Sequence, residues 1–200
     1  QAVRRRAFWL TLVGLLLGVF GVQGYFVHAI PHMEANGLSR STASLAWGTF
    51  FFTGVVAKFL WGFVIEKLTV RWSLVVLYLW EAIGMQLLLH ATTPTAVFVY
   101  AVLNGLGHGP FLQLQAMVWA DFFGRRSIGS IMGVVQPIVV GFGALGPWLA
   151  GYLFDLNGDY ATFFSLGSGL CIAAALVFML VRKPGSAPLH AVSQSGLGPG

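Results

Sequence analysis

Very little of this 200-residue chain is charged: Asp, Glu, Lys and Arg together make up 8% of it, against 57% hydrophobic residues. Soluble globular domains carry about a quarter charged residues, so this deficit excludes an ordinary water-soluble domain and indicates an integral membrane protein. Cysteine is nearly absent as well. The lone Cys171 cannot form an internal disulfide or a cysteine metal cluster, and it is expected to pack within its helix. A short apolar leader with a cleavage site is not expected ahead of the first span. Arg4, Arg5 and Arg6 run straight into a full-length apolar helix. With Gln1 in first place, the chain is expected to be a fragment that begins mid-chain.

What is present is a series of apolar segments near the length needed to cross a bilayer, about 20 residues for about 30 Å. Six can be marked: Ala7–Ile30, Thr42–Ile65, Trp72–His90, Thr95–Ala120, Gly129–Phe154 and Tyr160–Val181. The pattern predicts an all-α membrane fold over residues 1–183. A Gly/Ser/Pro-rich tail, residues 184–200, has no periodicity and is expected to be disordered.

The basic residues sort by side. Of the eleven, Arg4, Arg5, Arg6, Lys67, Arg71, Arg125, Arg126, Arg182 and Lys183 fall on one side of such a bundle, and Arg40 falls on the other. The positive-inside rule then makes both termini cytoplasmic. A net charge of +5 would suggest a nucleic-acid partner in a soluble protein; here it reads as topology, and the expected surroundings are lipid. The expected location is a cell membrane, a bacterial inner or plasma membrane.

The eleventh basic residue, Lys58, lies inside the second span, and Glu81 lies inside the third. A charge at mid-membrane costs roughly 2.5–3.5 kcal/mol on insertion scales, so each needs a partner or a function. Counted from the basic ends of their spans, both sit at a depth of about 12–14 Å on consecutive antiparallel helices. An ion pair between them is geometrically possible, with the rotation of the helices left open. Gly54 and Gly62 flank Lys58 at i−4 and i+4, which clears space along its ridge.

Other polar residues gather at membrane depth. "NGLGHGPFLQLQ" in the fourth span carries Asn104, His108, Gln113 and Gln115, and "QGYFVHAIPHM" in the first carries Tyr25, His28 and His32. In the fifth span, Gly129 and Gly133 allow close helix approach, and Gly146-Pro147 should kink the helix. Simple helix packing and a polar cavity both fit these features. His28 and His32 have a possible metal-ligand spacing, but Pro31 disturbs the helix between them and no cysteine is near them in sequence, and no metal or other cofactor is expected. "GLGHG" follows no strand, so a nucleotide-loop reading fails its context. A membrane enzyme is disfavoured too. "LGSGL" lacks the first glycine of an intramembrane serine-protease motif, and the last span has no histidine.

"GFVIEKLTVRW", with Gly62, Glu66, Lys67 and Arg71, resembles the cytoplasmic signature of the major facilitator superfamily. "ADFFGRRSIGSIMG", "GPWLAGYLFDLNGDYATFF" and "YFVHAIPHMEANGLSRSTAS" are similar to its monocarboxylate transporter and oxalate/formate antiporter branch. The resemblance covers nearly all of Phe8 to Val181 and matches the C-terminal six-helix half of that fold. Glu66 stands where an aspartate is usual, and Thr69 where glycine is frequent. The resemblance implies a secondary active transporter of small organic anions, monocarboxylates with a coupling proton, working by alternating access with an absent N-terminal six-helix half. It implies that Lys58 contacts substrate; Tyr25, His28, Asn104, His108 and Gln113, polar at membrane depth, are the candidate substrate contacts beside it, and Glu81, at equal depth, is its candidate charge partner. Lys58 stands where an arginine is usual, and Gly54 where an aspartate is frequent. It further implies a cytoplasmic gate of Gly62, Glu66, Lys67, Arg71, Asp121, Arg125 and Arg126. The fifth span lacks the second cation expected for oxalate. The alternatives are a drug or sugar carrier of the same superfamily and, more remotely, a membrane enzyme or a channel.

Overall fold

The computed structural model describes residues 6–124 and 128–181. Eight helices follow one another: α1 Arg6–Ala35, α2 Arg40–Lys67, α3 Val70–Leu89, α4 Pro94–His108, α5 Phe111–Phe123, α6 Ile128–Gly143, α7 Leu145–Asn157 and α8 Ala161–Leu180. No strand occurs among the described residues. Counting α4–α5 and α6–α7 as single interrupted spans, six segments are long and apolar enough to cross a membrane. These are the six segments marked in the sequence, with ends shifted by a few residues. The expected tail and Arg4, Arg5, Arg125, Arg126, Arg182 and Lys183 lie outside the described residues.

The helix ends follow local chemistry. Ser39 caps α2 by accepting from the Thr42 amide at 3.1 Å, and Thr93 caps α4 from the Ala96 amide at 3.2 Å, with Pro94 in the first turn. Gly158 ends α7 with φ of 77°, a left-handed conformation that glycine adopts without strain.

Six crossings bring the start of α1 and the end of α8 to the same side. Arg71, near the start of α3, donates to the Val181 carbonyl at 2.8 Å and so ties the α3 and α8 ends together there. α1 packs against α2, α3, α6, α7 and α8, and α3 joins it on α8. Where α1 crosses α8, a Cβ on Gly21 would stand 2.9 Å from the Gly167 carbonyl oxygen, so only glycine permits that approach.

Burial is uneven. Within their most apolar windows α1 and α3 are 56% buried, whereas α2 and the α6–α7 span are 22% buried. Phe52, Phe59 and Phe63 on α2, and Val134, Ile138 and Trp148 on α6–α7, are exposed. A Cβ on Gly62, Gly129 or Gly133 would meet nothing within 4 Å among the described residues, so the close helix approach expected at Gly129 and Gly133 does not occur inside this bundle.

Candidate functional site

The fifth span breaks before Gly146-Pro147, as its sequence predicts, and the fourth breaks as well, at Gly109-Pro110. Pro110 has no N–H, so the Leu106 carbonyl four residues earlier loses its helical donor. The Trp61 indole from α2 replaces it, donating to Leu106 O at 2.9 Å. From the other flank the Trp80 indole of α3 reaches the Leu103 carbonyl at 3.2 Å. Gly109 lets the break lie directly on α2, because a Cβ there would fall 2.6 Å from the Gly54 carbonyl oxygen. Two tryptophans and a glycine contact thus fix the end of α4, and His108 is its last residue.

His108 is held on three sides by aromatic rings, those of Phe26 at 4.6 Å, Phe111 at 4.9 Å and Phe50 at 5.2 Å between centroids. Its Nδ1 lies 2.6 Å from Oε1 of Glu81 on α3. The Glu81 side chain is fully buried, and its second oxygen, Oε2, has no hydrogen-bond partner among the described residues. The imidazole keeps 15% exposure. That remaining edge opens on a cavity of about 180 Å³ whose wall also includes Lys58, Gln113, Gly54, Gly109 and Phe50.

The pairing considered for Lys58 and Glu81 is corrected by this geometry. Glu81 points into the bundle towards α4 and meets His108, while Lys58 is exposed on α2 and makes no ion pair among the described residues. Depth alone allows both partners, and the rotation of α3 selects the histidine. The sequence does hold a signal for it: Glu81 and His108 lie at similar depth on adjacent antiparallel spans.

The other candidate residues divide by place. Gln113 shares the cavity with Lys58 and His108. Tyr25 and Asn104 are buried, joined by a 3.0 Å hydrogen bond from Asn104 Nδ2 to the tyrosine oxygen. His28 lies further along α1. Its Nε2 is 3.1 Å from the Pro147 carbonyl and its Nδ1 3.2 Å from the Tyr160 hydroxyl. A carbonyl only accepts, so Nε2 carries the proton and Nδ1 receives the tyrosine O–H. Burial, with the Asp155 charge second, holds the Tyr160 hydroxyl above its ordinary range, which keeps that donor protonated. His28 therefore latches α1 to the start of α7 and of α8.

A second cavity, about 520 Å³, lies at the α2–α3 turn. Glu66, Lys67, Arg71 and Asp121 all line it, so most of the expected gate residues share one pocket. Arg71 also lies 4.9 Å over the Trp72 ring. Gly62 stands one turn before Glu66 in open space, and Arg125 and Arg126 lie outside the described residues.

Comparison with known proteins agrees with this architecture. The family model described as Major Facilitator Superfamily matches residues 10–197. Human monocarboxylate transporter 2 is 25% identical over 183 residues, covering 89% of this chain and 38% of that protein. Monocarboxylate transporter 12 of Xenopus laevis is 24% identical, covering 88% of this chain and 39% of its own length. Monocarboxylate transporter 12-B of Danio rerio is 27% identical, over 85% of this chain and 37% of its own. The chain thus spans less than two fifths of the length of the curated relatives it matches. With a family match over most of its length and six membrane-capable helices in place, the chain belongs to the major facilitator superfamily and makes up one six-helix half of that fold.

Proposed function

We propose that this chain is half of a secondary active carrier for small organic anions, monocarboxylates foremost, which moves them together with a proton by alternating access. Membership of a transporter family already favours transport over catalysis. The single observation that carries the substrate class is Lys58. It is a cation within a span, without an ionic partner among the described residues, on the wall of a cavity it shares with His108 and Gln113. An unpaired lysine at that depth is costly unless an anion visits it. The relatives bear the name monocarboxylate transporter, and a carboxylate is the anion that name implies.

The opposite cavity wall would come from a second six-helix half. The two spans this bundle leaves least covered, α2 and α6–α7, are the faces such a half would pack against, and α2 carries Lys58. Rocking of the two halves about Lys58 would expose it to each side in turn. Glu66, Lys67, Arg71 and Asp121 would form and break charge contacts at the cytoplasmic end, with both termini on that side. A plasma membrane suits such a carrier, and the animal origin of the named relatives offers nothing for a bacterial inner membrane in particular.

A drug or sugar carrier of the same superfamily is the second reading, and the partnerless Lys58 favours an anion over either. The test is uptake of a labelled monocarboxylate by the full-length protein in proteoliposomes. Uptake should be saturable in the native protein and nearly abolished by Lys58→Ala. Normal transport by Lys58→Ala would remove the substrate role, and saturable uptake of an uncharged solute with none of carboxylates would replace the reading.

A further inference from the structure

We propose that the Glu81–His108 pair is the binding site of the coupling proton, with His108 as the link between the buried carboxylate and the anion cavity; this rests on the carrier reading above. Five of the six acidic residues, Glu34, Glu66, Asp121, Asp155 and Asp159, lie at or near helix ends, while Glu81 alone is buried. At 2.6 Å the carboxylate and imidazole are close enough to share one proton, on Nδ1 or on Oε1. With Nδ1 turned to Glu81, Nε2 is the nitrogen left for the cavity, so a proton can enter there and leave by the same route. Glu81 Oε2 has no partner among the described residues, so the acid can accept a proton without breaking another contact there.

Charge balance supplies the coupling. The groups facing the pair are Tyr78 on α3, Cys171 on α8 and, across the cavity, Lys58 on α2. From α1, α2 and α4–α5 the neighbours Phe26, Phe50 and Phe111 are apolar. Tyrosine and cysteine are ordinarily neutral near pH 7, which leaves Lys58 as the one charge set against the pair among the described residues. In this proposal the empty cavity has Lys58 as its cation and the pair one proton short, the two making no contact among the described residues. A carboxylate arriving at Lys58 cancels that cation, and the pair is left with a net negative charge beside a second anion in a poorly solvated site. Taking up one proton restores neutrality. Anion and proton therefore bind each other's state of the carrier more tightly, and the coupling is reciprocal. The loaded and the empty forms are both neutral, which is what crossing an apolar layer favours.

The experiment uses the full-length protein in proteoliposomes with labelled pyruvate as the monocarboxylate. Exchange of internal for external pyruvate needs no net proton movement, whereas accumulation driven by an imposed pH gradient does. Glu81→Gln should retain exchange and lose gradient-driven accumulation, together with the pyruvate-dependent acidification of the vesicle interior. Glu81→Asp should recover part of both. Calorimetric pyruvate binding to the native protein, compared between buffers of different ionisation enthalpy, should report uptake of about one proton per anion, with affinity falling about tenfold per pH unit where the pair releases it. His108→Gln should flatten that dependence. The proposal is overturned if Glu81→Gln still accumulates pyruvate with one proton each. It is equally overturned if binding to the native protein takes up no proton, a result that stands even where the variants fail to fold. A native protein that shows neither exchange nor uptake of pyruvate sinks the carrier reading itself. Exchange that persists without proton uptake sinks the proton site alone.

Discussion

Glu81 on α3 and His108 at the end of α4 meet at 2.6 Å beside three phenylalanines, and the acid has no exposure at all. Breaking such a pair from one side leaves a buried polar group without its complement, which typically costs about 3–5 kcal/mol. Glu81→Leu alone should therefore lower the thermal-unfolding midpoint sharply. Glu81→Leu with His108→Phe removes both members and should recover most of the loss, since the surrounding rings already suit an apolar side chain. Differential scanning fluorimetry of the purified protein separates the two outcomes. Additive losses in the double variant would show that the pair is not energetically coupled.

The Trp61 indole answers a carbonyl that Pro110 leaves without a donor. Trp61→Phe keeps an aromatic ring and removes the N–H, so the half-buried Leu106 carbonyl loses its donor. A loss of about 1–3 kcal/mol is expected. Trp80→Phe should cost less. Its partner, the Leu103 carbonyl, lies four residues before Gly107, whose own amide can serve it within the helix. Paired unfolding measurements on the two variants test this, and equal losses would refute the role given to the proline break.

These elements mark where sequence reasoning succeeds and where it stops. The six spans are legible because twenty-odd apolar residues between polar breaks follow from bilayer thickness alone, and the fifth-span break is legible from Gly146-Pro147. The gathering of Glu66, Lys67, Arg71 and Asp121 is legible because charges at span ends share one interface. The partner of Glu81 is not, since depth along a helix follows from counting but rotation about its axis follows from packing against α1, α4 and α8. The partners of His28 are hidden for the same reason. It is a polar residue at membrane depth, yet the bundle turns it to Pro147 and Tyr160, where both ring nitrogens are used.

Two glycines that look alike in sequence should behave differently. At Gly109 an added Cβ would stand 2.6 Å from the Gly54 carbonyl oxygen and 2.8 Å from the Ala57 Cβ, so backbone has to move. Gly109→Ala should spread the α4–α5 break from α2, displace the end of α4 that carries His108, and lower both stability and uptake. At Gly62 an added Cβ meets nothing within 4 Å among the described residues. Gly62→Ala should leave the unfolding midpoint unchanged or slightly raised, alanine being the better helix former by roughly 1 kcal/mol. If the same variant slows uptake in the full-length protein, the open flank of α2 is where a second half packs during the transport cycle. Unaltered uptake would mean that flank faces lipid.

On the carrier reading, the one lysine on the cavity wall predicts a preference for one carboxylate over two. Lys58 can neutralise a single anionic group, while the α6–α7 span, Ile128 to Asn157, contributes no lysine or arginine. The second carboxylate of oxalate would enter the cavity without a counter-charge and close to the acid of the Glu81–His108 pair. Its lost hydration would go uncompensated, and an unpaired charge in a partly buried site costs several kcal/mol. Oxalate should therefore compete with labelled pyruvate at least about tenfold more weakly than unlabelled pyruvate does, since tenfold corresponds to only about 1.4 kcal/mol. Competition curves at one fixed pH measure the ratio. Equal competition by the two acids in the native protein would mean that a cation outside these helices completes the site, and the single-cation account of substrate choice would then be wrong.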